Sequence, residues 1–386
     1  MTANPLTALV NGRVLGDHGP REGFAVLVRG KRIVAIVADN DPRLADAQRH
    51  DLHGHLLLPG FIDVQVNGGG GLLFNDAPNV ETLRGIAAAH RKFGTTGMLP
   101  TLITDTAEKM REALAVVDDA MEQRVPGVLG IHVEGPFLAT ARKGIHNADL
   151  FRHPNDSDIE ALTAPHRGVV MLTLAPDQVS PVTITRLSEA GVIVVAGHTA
   201  ADYTTTRTAL DAGMCGFTHL YNAMTPLSSR DPGVVGAALD DPHSWCGLIV
   251  DGHHVHPVTL RVAIAAKAHG KCVLVTDAMP PVGSDKSDYV LNDQTIVMRD
   301  GICRSEAGVL AGSGLDMATA VRNAVQMLGL PLAEASRMAS SYPAAWIGLE
   351  HTHGRIVAGY QADFAVMDEA LKVRETWVAG VAYPVT

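Results

Sequence analysis

Eight short apolar runs in the middle of the sequence constrain its fold more than any other feature. They are LLLPGFIDVQVN, TTGMLPT, VLGIHVEG, VVMLTLAP, VIVVAGH, CGFTHL, WCGLIVDG and CVLVTDA. They recur roughly every 25–45 residues, with helix-like segments between them. One such segment, ITDTAEKMREALAVVDDAMEQ, offers Thr or Asp caps and then apolar residues at helical spacing. Another, SPVTITRLSEAG, offers a Ser cap, a Pro in the first turn and a terminal Gly. Eight strand–helix units predict an α/β chain folded as a (β/α)8 barrel of the TIM type. A doubly wound sheet shares this periodicity and stays open on pattern alone. A length of 386 residues suits one large barrel with a lesser domain.

The two ends of the chain have a different texture. ALVNGRVL and FAVLVRGKRIVAIV show the β-branched, turn-punctuated pattern of hairpins, and it returns in GRIVAGYQADFAVMDEALKVRETWVAGVAYPV. The expectation is that residues 1–58 and 354–386 build one small β domain, with the barrel inserted as residues 59–353. Near 283–311 a hairpin excursion interrupts the last strand–helix unit.

In a barrel, chemistry collects at the C-terminal ends of the strands. Five of the eight runs end there in a residue able to bind a ligand. The first ends at Gln65 and Asn67, the third at His132 and Glu134, the fifth at His198, the sixth at His219 and the eighth at Asp277. A single histidine at such a position is as readily a core residue. Glu134, His198 and His219 together form a three-ligand metal set, which leaves one coordination position for water and suits Zn2+, Fe2+, Mn2+ or Co2+. His132 shares the face of Glu134 and reads either as core or as support. Asp277, after an apolar strand, is placed to carry a proton; an aspartate that merely caps a turn is the competing reading.

PGFIDVQVN is the opening of a metal-hydrolase barrel in which the usual HxH pair is replaced by Gln65 and Asn67. Neutral amides are weak ligands for Zn2+ and good hydrogen-bond partners for water, so one metal is expected rather than two. Gln65 is expected to orient the attacking water. The pair His53 and His55 imitates HxH, but precedes the first barrel strand and reads as structural.

Composition narrows the partners. A net charge of −10 and a pI near 5.9 disfavour nucleic acid, so an anionic ligand needs a local basic pocket. Cys215, Cys246, Cys272 and Cys303 form no CxxC pair, as expected of reduced cysteines in the cytoplasm. MTANPLTALVNGRVL has neither the basic nor the apolar region of a signal peptide, and no apolar run nears the ~20 residues of a membrane span.

PGFIDVQVNGGG, HVEGPFL, RKGIHN, AGHTAA, THLYNAM, SRDPG, DGHHV, VTDAM and GSGLDM occur in this order, across about residues 57–317. Together they resemble the N-acetylglucosamine-6-phosphate deacetylase family of the amidohydrolase superfamily. PGFID marks only the superfamily; HVEGPFL with THLYNAM and DGHHV is more specific. The resemblance implies a distorted (β/α)8 barrel with a small β-sandwich made by both termini. It implies hydrolysis of the acetamide of N-acetyl-D-glucosamine 6-phosphate to D-glucosamine 6-phosphate and acetate.

By the same resemblance, Glu134, His198 and His219 match metal ligands and Asp277 the general acid/base. His146 matches a histidine that contacts the acetyl carbonyl oxygen, and Gln65 stands where single-metal members carry Gln. Arg230 and His254 match phosphate and sugar contacts, and Asn222 and Ala223 belong to a segment that reaches substrate. A homodimer is implied, with Arg230 reaching the neighbouring subunit's site. An N-acetylgalactosamine-6-phosphate deacetylase, another amidohydrolase such as a dihydroorotase, and an inactive scaffold barrel are the alternatives. Dihydroorotases keep HxH, and dead barrels usually lose a ligand or the aspartate. The single-metal reading predicts about one divalent ion per chain when metal is counted on purified protein; two tightly held ions would contradict it.

Overall fold

The computed structural model describes residues 5–385. All eight apolar runs become adjacent strands of one parallel sheet. They are β1 (Phe61–Val66), β2 (Thr95–Ile103), β3 (Gly130–Glu134), β4 (Val169–Leu174), β5 (Ile193–Ala196), β6 (Gly216–Phe217), β7 (Trp245–Leu248) and β8 (Cys272–Leu274). The sheet curls until its edges meet. Beyond β8, the Asp277 amide donates to the Gln65 carbonyl and the Asn67 amide to the Ala278 carbonyl, both at 3.0 Å. The chain is therefore a (β/α)8 barrel, and the doubly wound alternative is excluded.

Parallel strands covered by helices are buried on both faces, which is why the runs are apolar without alternation. Every residue of β1 is buried. A helix follows each strand, and most helices begin where the sequence supplies a cap. Thr106 caps Ala107–Glu122 through the Lys109 amide, and Ser180 caps Pro181–Glu189, which has Pro at its first position. Asn155 and Asp158 form a reciprocal capping box on Asp156–Thr163.

The excursion after β8 is larger than a hairpin. Strands Asp288–Leu291, Gln294–Arg299, Ile302–Ser305 and Leu310–Ser313 form an antiparallel meander. Its first two turns are the two-residue loops Asn292-Asp293 and Asp300-Gly301. All four of these residues have positive φ, the geometry that matches strand twist in tight hairpins. The meander packs Leu291, Ile296 and Cys303 against Ile103 and Met279 at the barrel mouth.

The termini form two further sheets. One joins Arg13–Gly16, Gly19–Arg21 and Leu56–Pro59 to the C-terminal strands Phe364–Met367, Val373–Val378 and Val381–Pro384. The other contains Leu6–Val10, Phe24–Arg29, Arg32–Ala38 and Gln48–Asp51. Leu9, Val26 and Val28 of the second share one apolar cluster with Leu57, Phe364 and Trp377 of the first. Among the described residues no helix is long and apolar enough to cross a membrane. All four cysteines are free thiols.

One buried cation ties the barrel wall together. Lys267 is 4 % exposed, and its ammonium donates to the carbonyls of Ala238 and Asp241 at the end of helix Gly233–Asp240 and to Ser244 Oγ. It satisfies carbonyls that the helix terminus leaves unpaired. Lys267→Ala strands these acceptors and is expected to lower unfolding stability by about 2–4 kcal/mol in chemical denaturation.

Candidate metal centre and active site

Three side chains meet at the C-terminal mouth of the barrel. Glu134 ends β3, while His198 and His219 lie two residues beyond β5 and β6. His219 Nε2 lies 3.0 Å from Glu134 Oε1, and His198 Nε2 lies 3.2 Å from both that oxygen and His219 Nε2. A tetrahedral ion with bonds of about 2.0–2.1 Å needs ligand atoms about 3.3 Å apart. The observed triangle has that size.

The proton inventory also fits a cation. His198 Nδ1 lies 2.9 Å from the Arg142 carbonyl, which can only accept, so Nδ1 carries the proton. His198 Nε2 then faces the Glu134 carboxylate and His219 Nε2, as a metal ligand atom would. Burial opposes charge on both Glu134 and His219, yet their mutual attraction wins. It holds the Glu134 carboxyl well below the usual range and raises His219. His219 Nδ1 is buried without a protein partner among the described residues.

Local backbone carries strain at these points. His198, His219 and Asp277 have φ of 47°, 31° and 52°, the left-handed region that non-glycine residues seldom occupy. Each sits where an extended strand must stop and turn its side chain into the mouth. The loop carrying His146 approaches closely at Gly144, where an added Cβ would lie 3.2 Å from His198 Cε1.

Asp277 and His146 flank the triangle. Gln65 Nε2 donates to both Glu134 Oε2 and Asp277 Oδ1 at 3.2 Å, and Asn67 Nδ2 donates to Asp277 Oδ1 at 2.6 Å. Both amides thus hold one oxygen of Asp277, and among the described residues none engages Oδ2. Burial and the Glu134 charge push Asp277 up to about 6. His146 Nε2 lies 4.0 Å from Glu134 Oε1, and its Nδ1 lies 2.8 Å from Thr104 Oγ1. Burial and the neighbouring His198 lower His146 to about 3, so it is a neutral imidazole.

Asp277, His146, Asn67 and the triangle open into a cavity of about 570 Å³, which Asn222, Ala223 and His254 also line and which Gln65 does not. His254 Nδ1 is held by Asp251 at 2.6 Å. Arg142 and Lys143 add local positive charge at the mouth of this acidic chain. Arg230 is exposed and lies outside the lining of its own chain's cavity. His132 lies beneath Glu134, bonded to Thr101 Oγ1 and Thr173 Oγ1, and burial lowers it to about 4; it is a satisfied core histidine. His53 is an exposed turn residue beside Asp51, away from the cavity.

The sequence reading missed several supports. Thr104 and the Arg142 carbonyl are brought to the site by a neighbouring strand and loop, and no local motif marks them; Asp251 lies in DGHHV, but its hold on His254 was not read from it. Asp63, in PGFID, was not singled out. It is fully buried beneath Asp277, bonded to Thr276 through Oγ1 and the backbone amide.

A parallel barrel with a buried histidine–carboxylate triad at its strand ends defines a class of barrel whose mouth carries three side chains able to hold a metal ion. The sequence profile of the Amidohydrolase family matches residues 56–382, and the chain belongs to that family. Among its relatives is an N-acetylgalactosamine-6-phosphate deacetylase from Shewanella sp. (strain ANA-3). It is 45 % identical over 87 % of this chain and 85 % of that protein. An N-acetylglucosamine-6-phosphate deacetylase from Haemophilus influenzae is 33 % identical over 97 % of this chain and 98 % of its own. The crystal structure of N-acetylglucosamine-6-phosphate deacetylase from Pasteurella multocida superposes with a TM-score of 0.94 at 36 % identity. It covers 98 % of this chain and all of that one.

Burial pushes Asp63 from its ordinary value of 3.8 up to about 7. Between about pH 4 and 7 the unfolded chain ionises this group while the native chain keeps it protonated. Native stability from Asp63 is full below that window and falls through it, by up to about 1.4 kcal/mol per pH unit. Asp63→Asn mimics the protonated form and is expected to flatten this slope in denaturant titrations from pH 5 to 8. An unchanged slope would assign it to other groups.

Proposed function

We propose that the chain hydrolyses the acetamide of N-acetyl-D-glucosamine 6-phosphate, releasing acetate and D-glucosamine 6-phosphate. The observation that carries this reading is the convergence of Glu134, His198 and His219 beside Asp277 and His146. It occurs in an amidohydrolase whose long-range relatives are phosphosugar deacetylases. We assign Glu134, His198 and His219 as ligands of one divalent ion, Zn2+ by preference, with Fe2+, Mn2+ or Co2+ able to replace it. Bound there, the ion supplies Lewis-acid polarisation of the amide carbonyl and acidifies a water.

The chain's own groups do the rest. Gln65 orients the attacking water. Asp277 takes a proton from that water through its free Oδ2 and returns it to the departing amine nitrogen. We place the His146 ring proton on Nε2, with Nδ1 facing Thr104 Oγ1; from Nε2 it hydrogen-bonds the oxygen that becomes negative as the carbonyl is attacked. His254, Asn222 and the backbone at Ala223 receive the sugar phosphate. Arg230, exposed on its own chain, is assigned to the phosphate of a neighbouring subunit's site in a homodimer; its planar fork suits phosphate oxygens. All four cysteines are free thiols, which suits a cytoplasmic location.

The galactosamine epimer is a second reading, favoured by the 45 % identity to the Shewanella relative. The two substrates differ in one hydroxyl orientation, read by a few side chains. Acetate release from both 6-phosphates and from unphosphorylated N-acetylglucosamine decides between them. Preference for the glucosamine phosphate supports the first reading, and preference for its epimer the second. No release from any of them, with metal bound, overturns both.

Asp277→Asn is expected to lower kcat by about 10²–10⁴-fold while the ion stays bound. In the native enzyme, Asp277 must be ionised to take the proton, so kcat/KM falls on the acid side. The bound cation opposes the upward push to about 6, so this limb lies at or below that pH. Near-normal turnover of the variant would remove the role.

A further inference from the structure

We infer that Asn67 binds the scissile group of the substrate, its Oδ1 accepting the amide N–H. This rests on the deacetylase reading above and extends it to a residue that reading leaves without a role. Asn67 is 1 % exposed and lines the cavity beside Asp277. Its Nδ2 donates to Asp277 Oδ1 at 2.6 Å, which settles the orientation of the amide: the opposite flip would set oxygen against carboxylate. Oδ1 therefore points away from Asp277, and it is buried with no partner.

A buried acceptor left unpaired is costly, and sites that keep one usually fill it with a ligand donor. The acetamide has one N–H, and that donor is consumed by no other role proposed for the site. Its nitrogen must also come within reach of Asp277 Oδ2, which delivers the proton. Asn67 and Asp277 are hydrogen-bonded to each other, so the free oxygen of each can face neighbouring directions around one nitrogen.

The geometry has a chemical consequence. When water adds to the carbonyl, the nitrogen becomes tetrahedral and its lone pair becomes basic. Holding the N–H on Asn67 turns that lone pair toward protonated Asp277. The proton moves from Asp277 to nitrogen, the C–N bond breaks, and the amine leaves with both hydrogens. The N–H on Asn67 is never broken, so Asn67 binds and orients without exchanging a proton.

An ester in place of the amide isolates this contact, because it has no N–H to offer. The experiment measures kcat/KM for the 2-acetamido sugar phosphate and for the matching 2-O-acetyl ester, using native chain, Asn67→Ala and Asn67→Asp. Asn67→Ala also removes the bond to Asp277, and both substrates feel that loss. The expected result is a fall on the amide about 10-fold or more beyond the fall on the ester. Asn67→Asp keeps an acceptor at Oδ1 and shares a proton with Asp277. It is expected to hold the native amide-to-ester ratio while both rates shift. Ester turnover in each variant shows that the fold and the ion site survive. Equal falls on both substrates in Asn67→Ala would overturn the inference and leave the deacetylase reading standing. No acetate from the acetamide with the native chain would overturn the deacetylase reading itself, and this inference with it.

Discussion

The seam between the last barrel strand and the first is the constraint on which the site depends. Three backbone hydrogen bonds close it, from Asp277 to Gln65 and from Asn67 and Gly68 to Ala278. They bring together residues more than 200 positions apart and place Gln65, Asn67 and Asp277 at one point of the mouth. Asp63 and Thr276 lock the same seam from beneath. A barrel left open there would keep most of its core. It would separate Asp277 from the amides of Gln65 and Asn67 that hold one of its oxygens.

Charge is organised around this seam at short range. Glu134 is buried and Asp277 half-buried, and Gln65 donates to each, so a single neutral amide bridges two carboxylates that repel. The side chains at positions 65 and 67 are neutral amides, so they add no charge to that carboxylate pair, whose Glu134 member faces His198 and His219. The acidic surface of the whole chain is unrelated to this local balance, because the groups that matter are screened from solvent by the barrel wall and the antiparallel meander.

Legibility differed from residue to residue. Glu134, His198, His219 and Asp277 could be named because each follows an apolar run whose length marks a strand end. The eight strands were legible for the same reason, and helices such as Ala107–Glu122 announced themselves through caps. His132 could not be separated from the site by pattern, since it shares a face with Glu134; only Thr101 and Thr173 show that it is a core residue. The excursion at 283–311 read as one hairpin, because alternation there is weak and the second turn, Asp300-Gly301, is a short polar pair. Thr104 carries no local signal, since it acts through a contact with His146, which another loop places.

The sequence by itself determined a parallel α/β core of eight strands, through apolar runs buried on two faces, and the residue types able to hold an ion or carry a proton; closure into a barrel rather than a doubly wound sheet was left to the tertiary structure. Spacing along the chain conveys those facts, since strand and helix periods are local properties. Tertiary structure alone decided which of these residues meet. It set the size of the ligand triangle, the proton position on His198 through the Arg142 carbonyl, and the orientation of Asn67 that leaves one oxygen unpaired. Each of these depends on a distance between segments far apart in sequence, which no local pattern encodes.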